Sequence, residues 1–243
     1  MVSNDVEALG PGESCEALLL TAKGRVIAPM TVYRRAVDDY LLLTETDLAE
    51  RVRAALVRSR FAAKVTIGVE DHSSVLVVGR ETPPGAVANR EYGVAAYEVL
   101  DEATPAWGEI ADDELERLRI RAGIPRYGRE LDERILPAEA GLDRTAIDFE
   151  KGCYPGQEPI ARQHYRGRVN RTLRVFELEG DELPEYDAEL VYEDKVVGRV
   201  TSAAVDGASV IALGYVRAEV PHDAELRVGE RIARQLESAS PRP

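Results

Sequence analysis

The first part of the chain alternates apolar runs with an amphipathic stretch. Residues 38–44, DDYLLLT, form a short apolar run that predicts a buried strand. Leu48, Val52 and Leu56 then recur every four residues. This spacing predicts a helix with one apolar face, continuing to about Phe61.

The middle of the chain combines β-branched runs with a second helix signal. Residues 64–70, KVTIGVE, and 74–79, SVLVVG, are separated by DHSS and predict an antiparallel strand pair. A loop rich in proline and glycine follows. Residues 112–123, DDELERLRIRAG, then predict a helix with acidic residues in its first turn, ended by Gly123 and Pro125.

From about residue 171 onward, only strand-like segments remain. Turn signals at Glu193-Asp194 and Asp206-Gly207 separate them and predict hairpins. Short strands at regular spacing predict a small β-barrel or sandwich of roughly 70 residues. We therefore divide the chain into a mixed region, residues 1–168, and a C-terminal β-barrel, residues 169–243.

Composition narrows the possible functions. The chain has 243 residues, 44% of them hydrophobic, which suffices for one large domain or two small ones. The net charge of −13 argues against general DNA binding, because sequence-independent affinity for phosphate comes from excess Lys and Arg. No apolar stretch is long enough to span a membrane, and the N-terminus lacks a signal peptide pattern. We therefore expect a cytoplasmic protein with no membrane partner.

The only two cysteines are Cys15 and Cys153. Two thiols cannot supply four ligands to a zinc ion or an iron–sulfur cluster, so we expect no resident metal site. A cluster held here would need ligands from another molecule. Cys15 lies in the apolar segment ESCEALLL and is expected to be buried.

The candidate chemistry lies in residues 151–168, KGCYPGQEPIARQHYRGR. Pro155-Gly156 predicts a type II turn, because proline fixes φ at the first central position and glycine accepts a positive φ at the second. The turn holds Cys153 near a bend, where the glycines let backbone N–H groups approach a ligand. A short helix should follow, and its N-terminus would favour an anion or a thiolate.

Simpler interpretations of this segment remain open. A lone cysteine near a turn is usually a small buried hydrophobe. The arginines at 162, 166, 168, 171 and 174 can form a solvated face or hold an anion. Gln157 can order the turn by binding backbone groups, and Glu158 can pair with Arg162. His164 has no second ligand at metal spacing on the helix, so we expect it to pack or to form hydrogen bonds.

KGCYPGQE closely resembles the K-G-C-Y-x-G-Q-E signature of the YgfZ-type folate-binding family. These relatives of the glycine-cleavage T-protein assist iron–sulfur cluster assembly or repair. The resemblance continues in LLLTAKGRVIAP, RIRAGIP, VGRVTSA and ALGYVR, and so covers nearly the whole chain. It implies an α+β fold: a T-protein-like α/β folate-binding region with mainly antiparallel sheets, followed by the small C-terminal β-barrel.

The sequence departs from the family pattern in three places. VSNDVEAL resembles T-N-D-V-x-x-L, which in the family follows an opening strand and helix; we therefore expect an N-terminally shortened region with an unpaired sheet edge or exposed apolar surface. Ala28 and Pro29 stand where the transferase relatives have an aspartate, which argues against aminomethyl transfer by their mechanism. Arg121 replaces the glutamate of R-x-E-A-G and has no acceptor for the N–H groups of a pterin edge.

The resemblance implies a folate-binding accessory protein for iron–sulfur cluster assembly or repair rather than a catalyst. Cys153 would be its functional thiol, acting in redox chemistry or in transient contact with a cluster. Expected partners are tetrahydrofolate or another folate-like molecule and iron–sulfur client or assembly proteins, with a specific RNA as a further candidate anion. The alternative is a tetrahydrofolate-dependent, aminomethyltransferase-like one-carbon enzyme. The residues expected to contact a ligand are Lys151, Gly152, Tyr154, Gly156, Gln157, Glu158, Arg162, Arg166, Arg168 and Arg121.

Overall fold

The computed structural model describes residues 1–60, 63–79, 81–102 and 108–236. Over these ranges the chain forms two three-stranded antiparallel sheets and a closed six-stranded barrel. None of the helices in these ranges is long and apolar enough to cross a bilayer. The elements are β1 (Ser14–Leu20), β2 (Val26–Ala36), β3 (Asp39–Leu43), α1 (Ala49–Ser59), β4 (Ser74–Val78), β5 (Val87–Asn89), β6 (Ala96–Leu100), α2 (Asp112–Ala122), α3 (Gln157–Arg166), β7 (Arg171–Glu179), β8 (Glu189–Tyr192), β9 (Lys195–Asp206), β10 (Ser209–Arg217), β11 (Leu226–Val228) and β12 (Arg231–Leu236).

The first sheet has the strand order β1-β2-β3. The predicted strand at 38–44 is β3, and α1 follows it after a short 3-10 turn. Leu48, Val52 and Leu56 are buried in one apolar cluster with residues of β1 and β2, as their spacing predicted. The structure describes this helix to Ser59, and Phe61, where we predicted its end, lies outside the described residues.

The second sheet has the order β4-β6-β5, and it corrects one prediction. Residues 64–70 form no strand, and β4 pairs instead with β6, with Val75 opposite Val99. A β-branched run forms a strand only where one of its faces is covered, whereas Val65 and Val69 are both exposed. The predicted pairing of neighbouring runs was therefore wrong.

The C-terminal strands close a barrel with the order β10-β7-β12-β11-β8-β9. Glu193 and Asp194 have φ values of 48° and 59° and close the predicted β8–β9 hairpin. The next turn consists of Gly207 and Ala208, one position later than predicted, because Asp206 still pairs with Ser209. The predicted α+β fold with antiparallel sheets and a C-terminal barrel is confirmed.

A buried polar network attaches α2 to the barrel. The helix ends at Gly123, which has φ 74°, as predicted. Arg119 is only 1% exposed, and its guanidinium donates to the carboxylate of buried Glu130 at 3.1 Å and to Ser202 of β9 at 2.9 Å. Burial disfavours the Arg119 charge, but its bonds to Glu116 and the nearby Glu130 outweigh this and raise the pKa of Arg119.

Candidate functional site

The motif loop, residues 151–156, lies directly before α3 and ends in a tight turn. The N–H of Gln157 donates to the carbonyl of Tyr154 at 3.3 Å, and Gly156 between them has φ 84° and ψ 2°. The side-chain oxygen of Gln157 accepts the N–H of Tyr154 at 2.9 Å. Gln157 therefore orders the turn, one of the two roles its position allowed.

The two backbones that meet at this turn lie very close together. A Cβ added to Gly156 would lie 2.4 Å from the carbonyl oxygen of Thr21, in the turn between β1 and β2. A Cβ added to Gly24 of the same turn would lie 3.0 Å from Ile160 and 3.2 Å from Pro159 of α3. Glycine at both positions thus holds the β1–β2 turn against the start of α3.

Lys151 connects the motif to the N-terminal segment. Its ammonium donates to the carbonyl oxygens of Val2 at 2.9 Å and Asn4 at 2.7 Å. Between them, Ser3 is completely buried: its N–H donates to the carbonyl of Leu18 on the edge strand β1 at 3.0 Å, and its hydroxyl accepts the N–H of Leu18 at 2.8 Å. The Lys151 ammonium therefore has a structural role that the sequence did not indicate.

Cys153 is an exposed, free thiol on an anchored loop. Gly152 beside it is exposed too, and a Cβ there would have no atom within 4 Å. The next residue, Tyr154, is buried in an apolar cluster with Leu18 and Ile160. Cys153 is thus not the small buried hydrophobe that a lone cysteine near a turn usually is.

Cys15 differs from Cys153 in exposure. It is half-buried on β1, less buried than we expected, and this burial raises the pKa of its thiol.

We therefore predict that iodoacetamide alkylates Cys153 at least about tenfold faster than Cys15 in the native protein at pH 8, because the thiolate is the reactive form and must be accessible. Mass spectrometry of the two cysteine peptides measures both rates. In guanidinium the rates should converge, and equal rates in the native protein would contradict the prediction.

A cationic groove runs between the β1–β2 turn and one side of α3, and it extends to the two residues after that helix. Its volume is about 510 Å³, and its four cationic lining residues are Lys23, Arg25, Arg162 and Arg168. Leu136, Pro159, Gln163 and Gly167 complete the lining. The structure therefore brings together two of the predicted arginines and adds Lys23 and Arg25, which the sequence analysis missed. The one sequence feature that could have indicated these two residues is the pair of basic positions in the K-G-R-V turn.

Other predicted site residues lie elsewhere or have other partners. Arg121 is on α2, where its guanidinium pairs with Asp206 of β9, away from the motif loop. Glu158 is exposed, and its expected ion pair with Arg162 is not among those formed in the described ranges. Arg166 lies in the last turn of α3. His164 stacks on Phe149 with ring centroids 3.9 Å apart, which confirms a packing role.

A second cavity, of about 660 Å³, lies between α2 and the barrel. Its arginines already have partners: Arg126 pairs with Glu116 at 2.9 Å, and Arg129 lies over the ring of Tyr186 at 5.4 Å. Among the described residues, no group of three or more His, Cys, Asp or Glu side chains has the arrangement of a metal site.

The resemblance places the folate contacts of the transferase relatives at Ala28, Pro29 and Arg121, and these residues do not suit that ligand. Ala28 is completely buried among apolar residues of the first sheet. The carbonyl of Pro29 accepts a hydrogen bond from the Thr44 hydroxyl at 2.8 Å. Neither residue supplies a carboxylate, and the guanidinium of Arg121 has no acceptor for a pterin edge. A folate held by those contacts does not fit this chain.

Comparisons with known proteins agree with the fold and with the resemblance. No family model matches the chain. It is 26% identical over 264 residues to an aminomethyltransferase of Rippkaea orientalis, covering 89% of this chain and 71% of that protein. It is 31% identical over 179 residues to an iron–sulfur cluster assembly factor IBA57 homolog, mitochondrial, of Pyricularia oryzae, covering 63% of this chain and 45% of that protein.

A solved structure shows the same fold. The glycine cleavage system aminomethyltransferase T from Bartonella henselae aligns with a TM-score of 0.76 at 18% identity, over 98% of this chain and 78% of that one. The predicted resemblance to relatives of the T-protein is confirmed, and the homologues include iron–sulfur cluster assembly factors.

Proposed function

We propose that this chain, a YgfZ-like homologue of aminomethyltransferases and iron–sulfur cluster assembly factors, is an accessory protein for iron–sulfur cluster assembly or repair. The observation that carries the proposal is the exposed thiol of Cys153 on a loop fixed at both ends. Lys151 holds one end to Val2 and Asn4, and the turn at Gly156 holds the other. An accessible thiol on a preorganised loop is suited to contact a partner.

The thiol would act as one exchangeable ligand of a cluster carried by a partner protein. Its sulfur forms a bond to one cluster iron, a partner thiolate leaves that iron, and the proton of Cys153 passes to the displaced thiolate. The oxidation state of the cluster does not change in this exchange. The partner supplies the remaining ligands, because the chain has only two cysteines.

A folate-like ligand is the second part of the proposal. Its support is the fold and the aminomethyltransferase homologues. Because Arg121 cannot accept hydrogen bonds from a pterin, such a ligand would be held through its anionic tail instead. One-carbon transfer has less support, since the position of the transferase acid is occupied by buried Ala28.

Complementation tests the thiol. In a strain that lacks the gene for this chain, we expect Cys153→Ser to restore the activity of a cluster enzyme no better than an empty vector does. Cys15→Ser should restore it to the unsubstituted level. Both variants should unfold cooperatively within a few degrees of the original protein, since serine is close in size to cysteine. Full rescue by folded Cys153→Ser would overturn the proposal.

A further inference from the structure

We infer that the cationic groove is a binding site for a small polyanion with closely spaced carboxylate or phosphate groups. The groove is formed by Lys23 and Arg25 of the β1–β2 turn, by Arg162 in the middle of α3 and by Arg168, two residues after the helix ends. The inference rests on the part of the proposed function in which a folate-like ligand is held through its anionic tail, and it names the site. In this site the β1–β2 turn forms one wall and α3 forms the other, and Arg121 is not part of the lining.

The first argument is the charge balance of the chain. The protein has 44 acidic and 31 basic residues, so a carboxylate partner is available to most cations. Elsewhere arginines do pair: Arg35 with Glu70 at 2.7 Å, and Arg117 with Asp206 at 3.1 Å. The groove, by contrast, has four cationic lining residues and no acidic one.

The individual contacts of the groove cations confirm this contrast. Arg25 reaches only the edge of ion-pair distance, 3.8 Å from Glu139. Lys23, Arg162 and Arg168 form no ion pair within the described ranges, and all three are exposed. Three cations without an ion pair, beside a fourth whose carboxylate partner lies 3.8 Å away, leave a counter-charge to be supplied from outside.

The second argument is that the two walls are fixed relative to each other. Gly24 is buried against Pro159 and Ile160, so the β1–β2 turn cannot move away from α3 without losing packing. Arg25 is oriented by a hydrogen bond from its Nη1 to the carbonyl of Arg134 at 2.6 Å. A solvated face of independent side chains would need neither constraint. Preorganised cations lose less conformational entropy when an anion binds.

The shape and chemistry of the groove indicate the class of ligand. A volume of about 510 Å³ suits a small molecule. Guanidinium groups bind carboxylate and phosphate in the same bidentate geometry, and the apolar faces of Leu136 and Pro159 suit short methylene spacers. Two sources share this chemistry: a γ-linked oligoglutamate, as folates carry, and a di- or triphosphate group.

Isothermal titration calorimetry of the full chain tests the inference with two probes, tri-γ-glutamate and pyrophosphate. We expect saturable 1:1 binding of at least one probe at 50 mM salt, weakened at least about tenfold in Arg162→Gln/Arg168→Gln and also at 300 mM salt, because exposed charges are screened. The probe that binds more tightly shows whether the natural ligand carries an oligoglutamate or a di- or triphosphate group. The matched control, Arg227→Gln/Arg234→Gln, removes the same charge from the exposed surface of the barrel and should bind like the unsubstituted protein.

An RNA oligonucleotide is titrated in parallel. Three outcomes would overturn the inference: no saturable binding of either probe, equal weakening by the control variant, or binding of the RNA alone. Cys153→Ser should bind the probes normally, because its thiol is not part of the groove. A groove that fails to bind therefore leaves the thiol proposal intact, and complementation by Cys153→Ser leaves the groove intact.

Discussion

Replacing Arg119 with methionine should lower the free energy of unfolding by about 3 to 5 kcal/mol, as measured by urea denaturation. The guanidinium is 1% exposed and lies 3.1 Å from the carboxylate of Glu130, whose side chain is fully buried. Methionine fills much of the same volume but leaves that carboxylate buried with no cation. It also removes the hydrogen bonds to Ser202 and to the carbonyl of Ile124.

Arg117→Met is the matched control, because Arg117 lies on the same helix and also forms an ion pair with the barrel. Its side chain is 35% exposed and pairs with Asp206 at 3.1 Å. Exposed pairs contribute little, so its loss should cost less than about 1 kcal/mol. The double variant Arg119→Met/Glu130→Leu should be more stable than Arg119→Met alone, since it leaves no charge uncompensated. Similar losses for Arg119→Met and Arg117→Met would argue against a buried pair.

The buried pair of Arg119 and Glu130 could not be predicted from the sequence, although the helix that carries Arg119 could. The ends of α2 follow from local signals, acidic residues in the first turn and Gly123 at the end, and the structure confirms both. Which arginine of that helix faces the barrel depends on packing. Arg119 and Arg121 stand two residues apart, yet one is buried and the other is exposed. The sequence analysis singled out Arg121 and overlooked Arg119.

The same division between local and distant contacts applies to the candidate site. The turn at Gly156 and the helix after it follow from neighbouring residues, and both were predicted. The contact of Lys151 with Asn4 joins residues 147 positions apart, and no local pattern encodes it. Lys23 and Arg25 likewise reach α3 only because β1 and β2 fold back on it. A pattern of spacings could identify the motif but not the second wall of the groove.

Gly156→Ala should lower the free energy of unfolding by at least about 3 kcal/mol, from two separate causes. Gly156 has φ 84°, a conformation that costs an L-residue about 1 to 2 kcal/mol. The added methyl would also lie 2.4 Å from the carbonyl oxygen of Thr21, and a backbone atom cannot rotate away as a flexible side chain can. The β1–β2 turn must therefore separate from the start of α3.

Gly180→Ala separates the two causes. Gly180 has the same φ of 84°, but a Cβ there would have no atom within 4 Å. It should lose only the conformational part, about 1 to 2 kcal/mol. The additional loss in Gly156→Ala then measures the close approach of the two backbones. Because that approach fixes both walls of the cationic groove, folded Gly156→Ala should also bind anionic probes more weakly, whereas Gly180→Ala should bind them normally. Equal losses of stability in the two variants would mean that the β1–β2 turn is not held against α3.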